Sequence, residues 1–264
     1  MPIFDLAILA IVQGLTEFLP ISSSGHLALY PLLTGRPDQG VQIDVAVHVG
    51  SLFAVLLYFR ADVAAAIRGG FRILAGDVRS REARLALLLV LATIPVVIAG
   101  LALSLSGMGG ALRSLAVIGW ATLIGGVLLW LADRFGEEAR DDWRWRDAAL
   151  MGLAQCLALV PGMSRSGVTM TAARGLGLTR TAAARFSMLM SIPTIIAAGA
   201  VVTKDMIDAG DAALGADAAI AAVLSFIAAL VAIAVLMRML RTWTMTPFVV
   251  YRLALGAILL WLAY

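Results

Sequence analysis

The sequence predicts an all-α polytopic membrane protein. The expected architecture is an inverted-topology repeat of six transmembrane helices plus two re-entrant helix–loop–helix hairpins. Three observations predict it. Of 264 residues, 61% are hydrophobic and 14% charged, where soluble domains carry about 25% charged residues. The apolar residues fall into runs long enough to cross a bilayer. Two further runs are broken at their centres and resemble each other. A mean hydropathy of +0.96 excludes a soluble enzyme, a disordered chain and a nucleic-acid binder. The net charge of +3 is accordingly read as a topology signal rather than as a nucleic-acid footprint.

A span needs about 20 mostly apolar residues. Six runs qualify: 43–60, 84–104, 112–132, 185–203, 216–237 and 245–263. The run 3–33 is interrupted by Gln13, Glu17, Pro20, the serines 22–24, Gly25 and His26. The run 148–175 is interrupted by Gln155, Pro161, Gly162, Ser164, Arg165, Ser166 and Gly167. Irregular backbone at membrane depth survives only where protein or a wet cavity satisfies it, so both runs are read as hairpins that enter and leave on one side. The first run lacks the basic start of a signal peptide and carries Gln13 and Glu17, so it is expected to stay in the mature protein. Cys156 is the only cysteine, which leaves no intramolecular disulfide.

Arginines orient the chain. Arg60, Arg68, Arg72, Arg79, Arg81 and Arg84 follow the first span, and Arg134, Arg140, Arg144 and Arg146 follow the third. Arg174, Arg180 and Arg185 follow the second hairpin, and Arg238 and Arg241 separate the last two spans. Threading six spans and two hairpins puts these fifteen on one face, against Arg36, Arg113 and Lys204 on the other. The rich face is therefore expected to be cytoplasmic, with both termini outside. Arg165 and Arg252 remain inside apolar segments.

A shift of 142 residues aligns the two broken runs. Gln13 meets Gln155, Leu15 meets Leu157, Ser22 meets Ser164, Ser24 meets Ser166 and Gly25 meets Gly167. The same shift lays 43–60 on 185–202. The chain then reads as one membrane domain, with repeats 1–132 and 147–264 joined by a cytoplasmic loop at about 133–147. Each half holds three crossings, an odd number, so the halves are inverted. In such folds broken helices meet near the midplane and form the site.

A charged group in hydrocarbon costs at least about 2.5 kcal/mol and is a functional candidate. Gln13 and Glu17, four apart, share a helix face. Pro20 and the serines end one helix and open another, whose free N–H groups and positive dipole end form an anion site. His26 lies in the first turn of the new helix. The second break offers another helix start, its hydroxyls, and Arg165, whose guanidinium suits bidentate phosphate recognition. Together these groups point to phosphate chemistry in the membrane. His48, near the outer end of its span, is read as structural or peripheral, and Arg252 as structural, neutralising a carboxylate or capping carbonyls.

The stretches Gln13-Gly-Leu-Thr-Glu17-Phe-Leu-Pro-Ile-Ser-Ser-Ser-Gly-His26 and Pro161-Gly-Met-Ser-Arg-Ser-Gly-Val-Thr169 resemble the two signature motifs of the bacterial undecaprenyl-diphosphate phosphatases, also called the bacitracin-resistance protein family. The likeness extends to 43–59 and 185–193. It implies an inner-membrane enzyme that hydrolyses undecaprenyl diphosphate to undecaprenyl phosphate and inorganic phosphate, recycling the lipid carrier for peptidoglycan synthesis and conferring bacitracin resistance. It implies an active site open to the outer face and a divalent cation, Mg²⁺ or Ca²⁺. Glu17 matches a proposed metal ligand, Ser23 a nucleophile and His26 an acid/base, while Ser164 and Arg165 match phosphate-binding positions. The expected substrate contacts are Gln13, Ser22, Ser24, Gly25, Ser164, Ser166, Gly167 and Thr169. With Gln rather than Glu at position 13, the diphosphate is expected to supply most metal oxygens. The implied partners are undecaprenyl diphosphate and the lipid bilayer, with a homodimer left open and no nucleic acid.

Lipid acid phosphatases also use Ser-Gly-His and Ser-Arg elements, but need a histidine six residues after the arginine, where this chain has Thr171. The alternative from another class is an inverted-repeat lipid-phosphate flippase or anion transporter. It would use the same arginine and helix ends without hydrolysis.

Overall fold

The computed structural model describes residues 2–35, 41–208 and 215–264. Arg36 lies outside the described residues, as does the side chain of Lys204. Eleven α-helices follow in order among the described residues: α1 (Ile3–Glu17), α2 (Ser23–Thr34), α3 (Val41–Tyr58), α4 (Arg60–Leu74), α5 (Arg81–Ser106), α6 (Leu115–Phe135), α7 (Trp145–Gln155), α8 (Arg165–Gly175), α9 (Arg180–Asp208), α10 (Ala216–Met239) and α11 (Thr246–Ala263). Short 3-10 turns precede α6 and follow α7. The protein is all-α and multi-pass: α5, α6, α9, α10 and α11 are each long and apolar enough to cross a membrane. The sixth expected span is α3, which joins α4 across a 90° bend.

The expected arginine-rich loop after the first span is in fact mostly helical. Arg60, Arg68 and Arg72 give α4 a polar side, while Ile67, Phe71 and Leu74 project outward as exposed apolar groups. Such an amphipathic helix, turned across the end of a span, suits the lipid interface rather than the hydrocarbon. Its helical period is hidden from a hydropathy reading because three arginines and Asp62 depress the average of the segment.

The two broken runs each form a pair of short helices. With a rise of about 1.5 Å per residue, none of α1, α2, α7 or α8 is long enough to cross a roughly 30 Å hydrocarbon layer alone. α1 packs on α2, and α7 on α8, so the arms fold back on one another. Outside the pairs, α1 lies on α10 and α7 on α5, while α8 lies on α6 and α2 on α6 and α11.

Small residues bring the helices together, as expected where lipid supplies no hydrophobic drive between them. A methyl group added at Gly50 would stand 2.1 Å from the Ala222 carbonyl of α10, and one at Gly14 would stand 2.5 Å from that of Ser225. Phe18, Phe186, Met188 and Met190 anchor the main buried cluster.

The arginine-bearing segments meet at one end of the molecule. Arg185 of α9 pairs with Asp62 of α4, and Arg84 of α5 donates to the Trp143 carbonyl at 2.9 Å. Asp133 of α6 receives Arg174 at 3.2 Å and Arg180 at 2.7 Å. Arg241 lines the same surface cavity as Asp141 and Arg185.

Candidate active site

Both breaks use the same backbone device. Ser22 has φ +80° and Ser164 φ +64°, the only non-glycine residues with positive φ among those described. Each is the N-cap of the following helix, α2 or α8. Ser22 Oγ lies 3.1 Å from Ser24 Oγ, and Ser164 Oγ lies 3.1 Å from Ser166 Oγ. A left-handed residue costs of order 1–3 kcal/mol and persists where its surroundings over-determine it, commonly at active sites.

The breaks are stitched together. The Gly162 amide donates to Ser24 Oγ at 2.9 Å, and Ser166 Oγ donates to the Leu19 carbonyl at 2.8 Å. Arg252 of α11, wholly buried, ties both. It donates to the carbonyls of Gly162 and Met163 at 3.0 Å, of Pro20 at 3.4 Å, and of Ala121 and Thr122 on α6 at 3.4 and 3.1 Å. Gly167 is needed for this approach: a methyl group there would stand 2.5 Å from the guanidinium. Arg252 is therefore the carbonyl cap among the roles expected for it.

Between the breaks lies a cavity of about 210 Å³, lined by Glu17, Ser22, Ser23, Ser24, Ala158, Pro161, Ser164 and Arg165. The first turns of α2 and α8 open onto it. Their leading N–H groups have no acceptor within their own helix, so two positive dipole ends and one guanidinium face the same small volume. A cavity of about 310 Å³ lies elsewhere, on the arginine-rich end beside Trp143 and Arg185. It carries matched acids and bases rather than a net anion-binding field.

Glu17 organises the cavity. Its Oε1 accepts from Arg165 at 3.2 Å. Its Oε2 accepts from Gln13 at 2.8 Å and Ser23 Oγ at 3.3 Å, with His48 Nε2 3.7 Å away. Arg165 also donates to the Ser187 carbonyl at 3.3 Å and stands over the Phe18 ring at 5.7 Å. Its guanidinium is thus aimed into the cavity while Phe18 covers one face.

The expected site residues divide. Glu17, Ser22, Ser23, Ser24, Ser164 and Arg165 line the cavity. Ser166, Gly25, Gly167 and Thr169 are buried behind it. Thr169 turns away as a packing hydroxyl, bonded to the Arg165 carbonyl at 2.8 Å and paired with Ser187 Oγ at 2.7 Å. Its position one turn past Arg165 directs it along the helix rather than toward the break. His26 stands off the cavity wall. Its Nδ1 meets the Ser22 carbonyl at 2.8 Å and its Nε2 meets the Tyr251 hydroxyl at 2.5 Å. The two rings stack, centroids 5.5 Å apart.

Two residues join the site without a sequence signal. Tyr251 belongs to α11 and reaches His26 only through packing. His48, read as structural or peripheral, faces Gln13 at 3.1 Å across 35 positions of chain. The one available hint was its place near the outer end of a span, level with the first break.

Among the described residues, no three His, Cys, Asp or Glu side chains cluster as a metal site. Glu17 and Arg165 cancel in charge, so a diphosphate entering this cavity brings uncompensated negative charge. Gln13 Oε1 is buried without a hydrogen-bond partner. An orphaned acceptor beside a carboxylate fits a hard cation that takes its other ligands from diphosphate oxygens.

The chain resembles known proteins over its whole length. The family described as Bacitracin resistance protein BacA matches residues 6–258. The chain is 56% identical to the undecaprenyl-diphosphatase of Roseobacter denitrificans and to that of Dinoroseobacter shibae, each over the full length of both chains. It is 48% identical to undecaprenyl-diphosphatase 2 of Stutzerimonas stutzeri, over 98% of each chain.

Proposed function

The chain belongs to the bacitracin resistance protein BacA family, and from that membership and its site we infer an integral membrane phosphatase. It hydrolyses undecaprenyl diphosphate to undecaprenyl phosphate and inorganic phosphate. The activity recycles the lipid carrier for peptidoglycan synthesis and underlies bacitracin resistance. The carrying observation is the convergence of Arg165, Ser23, Glu17 and two helix N-termini on one cavity made by both breaks.

In the proposed reaction, Arg165 and the amides opening α2 and α8 hold the diphosphate oxygens. These donors are already in place and become stronger as charge develops, which is the usual origin of such catalysis. Ser23 Oγ attacks the terminal phosphorus. Its proton leaves along the hydrogen bond to Glu17, and the bond to the bridging oxygen breaks. Water then attacks the phosphoserine, the P–Oγ bond breaks, Glu17 returns the proton to Oγ, and inorganic phosphate leaves with the protons of the water. An acid/base part for His26 requires its ring to give up Tyr251. A divalent cation, Mg²⁺ or Ca²⁺, held by Glu17 and the diphosphate, would neutralise charge on the leaving group. Gln13, Ser22, Ser24 and Ser164 are the proposed polar walls.

The same reading places the enzyme in the bacterial inner membrane. The fifteen arginines of the four clustered segments point that end to the cytoplasm, leaving both termini outside and the cavity opening to the outer face. The like construction of the two breaks supports inverted repeats 1–132 and 147–264.

The test is phosphate release from undecaprenyl diphosphate by purified protein with and without Mg²⁺. Wild type should turn over and Glu17→Ala combined with Arg165→Ala should not. Turnover surviving both changes would overturn the assignment. Lipid transfer across vesicles without phosphate release would point to the flippase instead.

A further inference from the structure

The mechanism above holds the cation at Glu17, names no second side-chain ligand and gives its neighbour His48 no part. Their geometry is specific. The Gln13 amide group stands 2.8 Å from Glu17 Oε2 and 3.1 Å from His48 Nε2, and those two atoms are 3.7 Å apart. Neighbouring ligands on an octahedral ion with bonds near 2.1 Å are separated by roughly 3 Å. The three groups thus already stand at ligand spacing.

The amide oxygen and nitrogen of Gln13 exchange places by a half-turn of the terminal amide. As described, nitrogen faces both partners and Oε1 is buried with no partner. The half-turn sets Oε1 against the carboxylate and the imidazole. That sets three lone-pair donors in mutual contact, an arrangement a cation satisfies, and turns the amide NH₂ to the side where Oε1 had no partner. His48 is prepared for this. Its Nδ1 meets the Asp44 carbonyl at 2.7 Å and so carries the proton, leaving a lone pair on Nε2. Metal-binding histidines are commonly held this way by a backbone carbonyl. Arg165 occupies Glu17 Oε1, and Oε2, which Ser23 approaches at 3.3 Å, has a second lone pair for the ion. The His48 side chain is 38% exposed, against 8% for Glu17, so the cluster is accessible on its imidazole side.

We propose that Gln13 Oε1 and His48 Nε2 join Glu17 as ligands of the divalent cation. The imidazole then shifts metal preference from Ca²⁺ and Mg²⁺ toward first-row ions such as Mn²⁺ and Zn²⁺, because nitrogen donors favour the softer ions. This deepens the cation part of the function proposed above and rests on it.

The experiment uses tag-free, full-length protein in detergent, loaded with Mn²⁺ and read by pulsed electron paramagnetic resonance. Wild type should show coupling of Mn²⁺ to a histidine nitrogen, and the coupling should change when the histidines carry nitrogen-15. His48→Gln should abolish it and weaken Mn²⁺ binding by about tenfold or more, while Ca²⁺ binding changes much less. Mn²⁺ bound without nitrogen coupling in wild type overturns the ligation by His48 and leaves the cation at Glu17 standing. Retained coupling in His48→Gln overturns it equally. Failure of wild type to bind Mn²⁺ at all overturns the cation site together with this inference. Because wild type alone decides the first point, a poorly folding variant does not shield the proposal.

Discussion

At Ser22 and Ser164 the backbone makes the same left-handed turn, and two residues later Ser24 and Ser166 each reach across to the opposite break. Between them the breaks part company. The residue after the turn is Ser23 in one and Arg165 in the other. Five places before the turn stands Glu17 in the first, where the second has Leu159. Four places after it stands His26 in the first, where the second has Val168. The shared positions build the scaffold, and the unshared ones carry a nucleophile, a carboxylate and a guanidinium. A duplicated backbone thus supplies two helix ends, and divergence at alternate positions turns a symmetric anion cradle into a directional site.

The largest expected effect tests that division. Arg165→Ala and Ser23→Ala should each lower kcat by about 10²–10³-fold or more, measured as phosphate release. Ser24→Ala and Ser166→Ala should cost less than about tenfold and act mainly on thermal stability. Equal losses in both pairs would erase the distinction between scaffold and chemistry.

Arg252 is the next lever, because it holds both breaks at once. Arg252→Met leaves five carbonyls without this donor, at a cost of roughly 3 kcal/mol or more. Thermal melting in detergent should fall accordingly, and hydrogen exchange should rise in both breaks together. Exchange rising in one alone would show that they are independent.

A smaller and opposite effect is expected at the turns themselves. Ser22→Gly and Ser164→Gly relieve a left-handed conformation, worth about 1 kcal/mol each, offset by the greater freedom of glycine when unfolded. Ser164→Gly also loses the cap that Ser164 Oγ gives the Gly167 amide at 3.1 Å, which Ser22 does not provide, so Ser22→Gly should melt higher relative to wild type than Ser164→Gly. The reverse order would mean that the turn at Ser22 is not strained.

The smallest effect concerns how each break is anchored. α7 opens on Asp147, which accepts from Arg140 through both oxygens and from the Arg144 amide at 2.8 Å. α1 has no side-chain cap. Burial pushes the Asp147 carboxyl up, but the Arg140 guanidinium and the Arg144 amide outweigh it and hold the group below the usual carboxylate range. Its folded value lies below the unfolded one, so its stabilisation is complete above about pH 4 and is lost as pH falls from there through the lower folded value. Hydrogen exchange corrected for intrinsic rate should therefore show α7 loosening in acid while α1 holds.

Much of this was legible beforehand. The break residues lie within fourteen positions of one another in the first motif and nine in the second. Local chemistry therefore names Glu17, Ser23 and Arg165 before any packing is known. Nothing local singles out His48, because its partners lie in another helix. The motif names Thr169 but says nothing of which way the helix turns it. The charges of α4 mask its period.

The amino-acid sequence by itself determined the membrane character, five of the six expected spans, the two breaks and the residues at their centres. Hydropathy and Pro/Gly/Ser punctuation act over a few turns of chain, and a cation bias needs only a count. The tertiary structure alone decided that Arg252 caps carbonyls of both breaks, that His26 turns to Tyr251, and that His48 meets Gln13 and Glu17. Those contacts depend on how each helix is rotated about its axis and on where small residues let its neighbours close in, and no local pattern encodes either.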